Sequence, residues 1–292
     1  GIFLILHVKY ELKKRSLTVP YATLGNLPRA PLVYSLAMIE YGKIPVIKDH
    51  INQILESLRS VYPDMNEFTV SSLQVGVDAS TGKPEANQTN RTQWRMNNPE
   101  GDTGIVFGED RLIIHTINYT HFSEFSKVIK HACSVIADIV GIQHIRRLGI
   151  RHIDNIHPVD ELKLSQLIKP QYFCHNEIQE LEQINSRVEY IYKTAHGSLF
   201  IRSFYLRDHP KVPQDIFPLA SELSTDGYLM TPISNDFILA DTDHIYSPKR
   251  LEPYSIDFVM EKLDALHETC SEGFRTLATE EAIEAWKKEQ PA

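Results

Sequence analysis

With 292 residues, 42% of them apolar and 23% charged, the chain has globular composition and length enough for one large domain or two small ones. Its 38 acidic against 30 basic residues leave a net charge of −8, which argues against a general attraction to nucleic-acid phosphates or an anionic membrane surface. Three scattered cysteines, Cys133, Cys174 and Cys270, form no CxxC pair and are odd in number, so neither a disulfide framework nor a thiolate zinc site is expected.

The opening "GIFLILHV" is too short to span a bilayer and lacks a cleavage site behind it. The reading is a cytoplasmic protein in which residues 1–17 are an upstream or cloning-derived extension to a single domain over 18–292. The N-x-T triplets at Asn87, Asn90 and Asn118 would matter only in a secreted protein and are set aside.

The first element is a strand, "PLVYSLAMIEYG", residues 31–42, rich in Val, Tyr and Ile. Pro45 then suits the first turn of a helix on which Ile47, Ile51, Ile54, Leu58 and Val61 share one face, until Pro63 ends it. Four β-like runs follow: "EFTVSSLQVGVDA", "RTQWRMN", "TGIVFG" and "RLIIHTINYT". The connections are short apart from the polar loop "STGKPEANQTN", so an antiparallel meander is expected. Thr120 can cap the next helix, whose Phe122, Phe125, Ile129, Ala132, Ile136 and Ile139 form an apolar stripe running to Gly141.

The second half opens with the strand "IRRLGIRHIDNI", a short helix "VDELKLSQLI", and three β-like runs around "EIQELEQI", "SRVEYIYKT" and "GSLFIRSFYL". Residues 208–236 carry four prolines and no clean period, the mark of a functional flap or a partner-binding excursion. The strand "FILADTDHIY" follows, then a helix with Met260, Leu263, His267, Cys270 and Phe274 on one face. A final helix is capped by Thr279, with acids in its first turn and lysines in its last. The order predicts an α+β fold, mainly antiparallel, in two similarly ordered halves (about 18–142 and 143–292) with long helices on one face of the sheet.

Strand alternation organises the candidate sites. Phe237, Leu239, Asp241, Asp243 and Ile245 share one face, while Ile238, Ala240, Thr242, His244 and Tyr246 share the other. Two carboxylates on one face could hold Mg or Mn, although His244 points away from them. In the central strand Arg147, Gly149 and Arg151 share a face and leave a positive notch. If the two strands are neighbours, Arg147 or Arg151 can fork onto Asp241 or Asp243, and ion pairing of this kind is favoured over metal ligation.

A second cluster, His152, Asp154, His157 and Asp160, has an unspecific metal-like spacing and reads more simply as a polar strand end turning at Pro158. His267, within an apolar stripe, reads as a neutral core histidine; Cys133 as packing; Trp94 and Trp286 as anchors. No phosphate-binding loop, dinucleotide fingerprint, nucleophile elbow or H-E-x-x-H is present.

The segments "APLVYSLAMIEYG", "RRLGIRHIDNI", "ILADTDHIY" and "LDALHETCSEGFRTLATEEAIEAW", in that order and spacing, resemble a sporadically distributed family of uncharacterised prokaryotic α+β proteins of similar length. The likeness covers Tyr21 to Trp286. It implies a single α+β unit with Arg147, Arg151, Asp243, His267 and Thr279 as landmarks, and implies no activity.

The leading expectation is a non-enzymatic binding or protein-interaction module with no cofactor, its partner or a second copy engaged through 208–236. The alternative is a metal-dependent phosphoester hydrolase. Asp241 and Asp243 would hold Mg or Mn, Arg147 and Arg151 would clamp the anion, and His152 or His267 would move the proton. A third reading is a small anionic ligand bound at Arg147 and Arg151 without turnover.

Overall fold

The run from Leu32 to Tyr41 forms β1, with Tyr34 and Leu36 on one face and Ala37, Ile39 and Tyr41 on the other, all buried. Both faces of this strand are therefore covered, as its near-continuous apolar sequence demands. The computed structural model describes residues 27–77, 84–175, 178, 180–223 and 226–288, so the extension expected at 1–17 lies outside it.

Helix α1 (Ile47–Leu58) buries Ile47, Ile51, Ile54 and Leu58, whereas Val61 lies beyond its end and is exposed. The meander is β2 (Asp64–Val77), β3 (Pro84–Asn97), β4 (Thr103–Gly108) and β5 (Arg111–Thr116). Residues 84–90, expected as loop, instead extend β3 and pair with β2, because Gln88, Thr89 and Asn90 continue the ladder hydrogen bonds whatever their polarity. Helix α2 (Phe122–Val140) begins at His121 with no side-chain cap, so Thr120 does not serve as one. It ends at Gly141, whose φ of 69° is the left-handed conformation that glycine adopts without strain.

In the second half β6 (His144–Ile156) is followed by α3 (Leu164–Leu167), a single turn. Then come β7 (Asn185–Lys193) and β8 (Ser198–Leu206). The run "EIQELEQI" is not a strand: among its described residues there is only an isolated bridge between Ile178 and Leu181, and Ile178, Leu181 and Ile184 are exposed. With its apolar side chains in water, it has no packing to support a ladder.

The proline-bearing segment contains a 3-10 turn (Gln214–Ile216) and α4 (Phe217–Ala220) before β9 (Phe237–Tyr246). A two-residue β10 (Glu252–Pro253) leads into α5 (Ile256–Leu277) and α6 (Glu280–Lys287). Thr279 caps α6 as expected, accepting from the Ala282 N–H, and Trp94 and Trp286 are both buried.

The sheet has ten strands in the order β2-β3-β4-β5-β1-β6-β9-β8-β7, with β10 pairing β6, and every pairing is antiparallel. The fold is thus α+β with a mainly antiparallel sheet. The larger core cluster joins α1, α2 and α5 to Ala37, Ile39, Ile150, Ile238 and Ala240. The second cluster joins Tyr34, Leu36, Ile153, Phe237 and Leu239 to Val212, Ile216, Ala220, Leu223 and Leu229. Alternation assigns these sets to opposite faces of the strands. The segment over 208–236 therefore packs its own apolar side chains onto the sheet. Among the described residues no helix is long and apolar enough to cross a membrane.

Candidate functional site

Strands β6 and β9 are neighbours, with Arg151 opposite Asp243 and Ile153 opposite Asp241. This register puts the Arg151 guanidinium across the diagonal from Asp241. Its Nε donates to Asp241 Oδ1 and one Nη to Oδ2, each at 2.8 Å. That fork is the bidentate geometry in which guanidinium binds carboxylate most strongly. Strand β8 adds a second cation: Arg202 lies directly opposite Asp241 and donates to Oδ2 at 3.0 Å. Asp241 has 0% of its side chain exposed, so it is a buried acid satisfied by two arginines.

Asp243 lies 3.8 Å from Arg202, beyond hydrogen-bond reach. Arg147, expected to share the notch, leans the other way, toward Glu40 at 3.9 Å, and does not line the cleft described below. His244 faces the helices, held between Thr194 Oγ1 at 2.8 Å and the Leu266 carbonyl at 3.2 Å. Among the described residues, no group of three or more His, Cys, Asp or Glu side chains is placed to hold a metal ion.

The outer edge of Arg151 is occupied from the proline-bearing segment. Asp215, on the 3-10 turn, accepts from one Nη at 2.6 Å and from the other at 3.2 Å, yet 63% of its side chain is exposed. Around this pair opens a cleft of about 620 Å³ lined by Arg151, Arg187, Arg202, Asp215 and Asp241, with Phe204, Leu206 and Leu239 as apolar wall. Arg187 lies over the Phe204 ring at 5.3 Å and is 52% exposed. Glu189 links the two outer arginines, at 2.7 Å from Arg187 and 2.5 Å from Arg202. Burial works against the charge on Arg151, but Asp241, with Asp215 behind it, outweighs that and raises its pKa further. Arg151 is a permanent cation.

Arg202, Arg187 and Asp215 escape a reading of the sequence. One signal was present: Arg202 stands between Phe200 and Phe204 on the same strand face, where a charge must find a partner. Asp215 lies in a stretch without period, and nothing local marks it.

Asp243 is largely buried, and burial pushes its pKa up to about 6, with the nearby arginines only partly offsetting this. A carboxyl whose folded pKa is raised above its unfolded value contributes stability that is fully present below about pH 4 and is lost as pH rises through 6. We expect Asp243→Asn to be more stable than the wild type at pH 7.5 by about 1–3 kcal/mol. At pH 4 the difference should vanish. Urea denaturation at the two pH values checks this, and equal stability at pH 7.5 would contradict it.

The two candidate proton-transfer histidines lie on the opposite face, toward α5. His152 Nδ1 is 2.8 Å from Ser35 Oγ, and its Nε2 is 3.2 Å from His267 Nδ1. His267 stacks on Phe122 with ring centroids 4.2 Å apart. Burial, then the His267 neighbour, lowers the pKa of His152 well below its ordinary value; burial, then Arg275, lowers that of His267 to about 4. Both rings are neutral at pH 7, and the sheet separates them from the arginine cleft. His157 and Asp160 do not join them: His157 stacks on Phe237, and Asp160 pairs with Arg29 and Lys288. Cys133 is buried, and burial pushes its thiol up to about 12, the behaviour of a packing residue.

No protein-family model and no curated protein matches the chain.

Proposed function

We propose that the protein binds a small organic anion, a phosphate or carboxylate carried on an apolar body, in the cleft at Arg151, Arg187 and Arg202, without chemical turnover. The observation that carries this reading is the Asp215 carboxylate. It docks bidentate on the outer edge of Arg151 from an exposed position, as the charged head of a ligand would. With Asp215 displaced, the three guanidinium groups face the carboxylates of Asp241 and Glu189, so an incoming anion meets an excess of positive charge. Phe204, Leu206 and Leu239 suit an apolar body beside that charge. Once Asp215 gives way, the anion meets Arg151 and Arg202 already held by Asp241 beside a preformed apolar wall, and such preorganisation favours affinity. The same reading takes the two halves as alike, which the strand order supports. Outward from β1 and β6 come β5 and β9, the strands that precede α2 and α5.

Isothermal titration with phenyl phosphate tests this. Asp215→Asn removes the competing carboxylate and should tighten binding about three- to tenfold; Arg187→Ala removes an exposed donor and should weaken it about tenfold. Both side chains are exposed, so each variant should melt within about 1 kcal/mol of the wild type. Phenyl phosphate binding that is absent, or indifferent to both substitutions, would refute the assignment.

A further inference from the structure

The opposite face of the sheet carries a second cavity, of about 330 Å³, between β6, β9 and α5. Asp154, Thr242 and Tyr119 line it, with Phe274 and the prolines Pro28 and Pro31 supplying apolar surface. Asp154 is only 4% exposed and makes no hydrogen bond or ion pair to any described residue. Thr242, 0% exposed, has its Oγ1 unbonded among the described residues. Two unsatisfied polar groups on the floor of one cavity are costly in a folded protein, and a ligand that bonds to both removes the cost.

The charges select the ligand. Asp154 is paired with no cation among the described residues, and Asp241 adds negative potential from across the sheet. Burial, with that charge behind it, raises the Asp154 pKa well above its ordinary value, so its carboxylate form is favoured only with a cation beside it; burial, then Asp154 and Cys270, raises that of Tyr119. His152 and His267, which also line the cavity, are neutral rather than competing cations, and His152 has both ring nitrogens engaged with Ser35 and His267. Cys270, on α5, is held as a thiol by burial, then by Asp243 and Asp241. Arg275 is the cationic side chain of the lining, and its charge bears on His267. The rings of Tyr119 and Phe274 also line the cavity and suit the apolar body of such a ligand.

We infer that this cavity is a binding site for a small organic ammonium ion, with the Asp154 carboxylate as its counter-ion and the Thr242 hydroxyl as a second acceptor. The site is independent of the arginine cleft and stands whether or not that cleft binds an anion.

The test is isothermal titration of the full chain with benzylamine, its neutral isostere benzyl alcohol, and benzoate. Benzylamine should bind the wild type at least about tenfold more tightly than either isostere, and Asp154→Asn should abolish that preference. Because the comparison of the three probes is made on the wild type, it decides the matter even if Asp154→Asn fails to fold. Equal binding of benzyl alcohol or benzoate, no benzylamine binding at millimolar concentration, or an unchanged preference in Asp154→Asn would overturn the proposal.

Discussion

Asp241→Ala should cost about 3–5 kcal/mol of folding stability, the loss expected when one partner is removed from a buried, hydrogen-bonded ion pair. The carboxylate is fully buried and accepts from both Arg151 and Arg202, so its removal strands two guanidinium groups in partial burial. The lower end of the range is the expected result, because Arg151 keeps Asp215 and Arg202 keeps Glu189. Asp215→Ala, by contrast, breaks an exposed pair and should cost less than about 1 kcal/mol. Urea denaturation of the two variants, with unchanged m, is the comparison to make. Similar small losses for both would mean that Asp241 is not the buried anchor described above.

Ile216→Ala should cost about 2–5 kcal/mol, the range for truncating a buried aliphatic side chain and leaving a cavity. Ile216 is 2% exposed and packs with Leu239 and Phe237 in the second core cluster. A partner-facing element would behave differently: its apolar side chains could be truncated with little effect on stability. Tyr228, in the same segment but exposed, supplies the control, and Tyr228→Ser should cost under about 1 kcal/mol. If Ile216→Ala melted with the wild type, the segment would be a loosely attached flap and the cleft it walls would be poorly defined.

Alternation was enough to separate Arg151 from His152 and Asp154 within β6, and Asp241 and Asp243 from His244 within β9, but not to say which face of one strand matches which face of the other. That Arg151 would pair with an aspartate was legible as soon as the strands were supposed adjacent. Adjacency itself was not legible, since it depends on the antiparallel register of residues about ninety apart in sequence. Arg147 had the same local credentials as Arg151. What separates them is only that Asp215 and Asp241 lie near one and Glu40 near the other. Residues 208–236 read as irregular because their buried positions, Val212, Ile216, Ala220, Leu223 and Leu229, follow the contour of the sheet beneath them and not a helical or strand period. "EIQELEQI" misled in the opposite sense, offering β-like alternation whose apolar residues Ile178, Leu181 and Ile184 stay exposed.

The cavity around Asp154 illustrates a further limit. In the sequence Asp154 shares a strand face with Leu148, Ile150 and His152 and reads as a polar strand end turning at Pro158. That β9 and α5 enclose it, with no partner among the described residues, depends on tertiary placement. Thr242 and Tyr119 come to the same cavity from elements far apart in sequence.

The central claim, that the arginine cleft accepts an anion in place of Asp215, is tested most directly by a crystal structure determined in the presence of phenyl phosphate. The expected structure has the phosphate within hydrogen-bond reach of Arg151 and Arg187, the phenyl ring against Phe204 and Leu239, and Asp215 turned out to solvent. An unoccupied cleft with Asp215 still forked on Arg151, under conditions that saturate the ligand in solution, would contradict it.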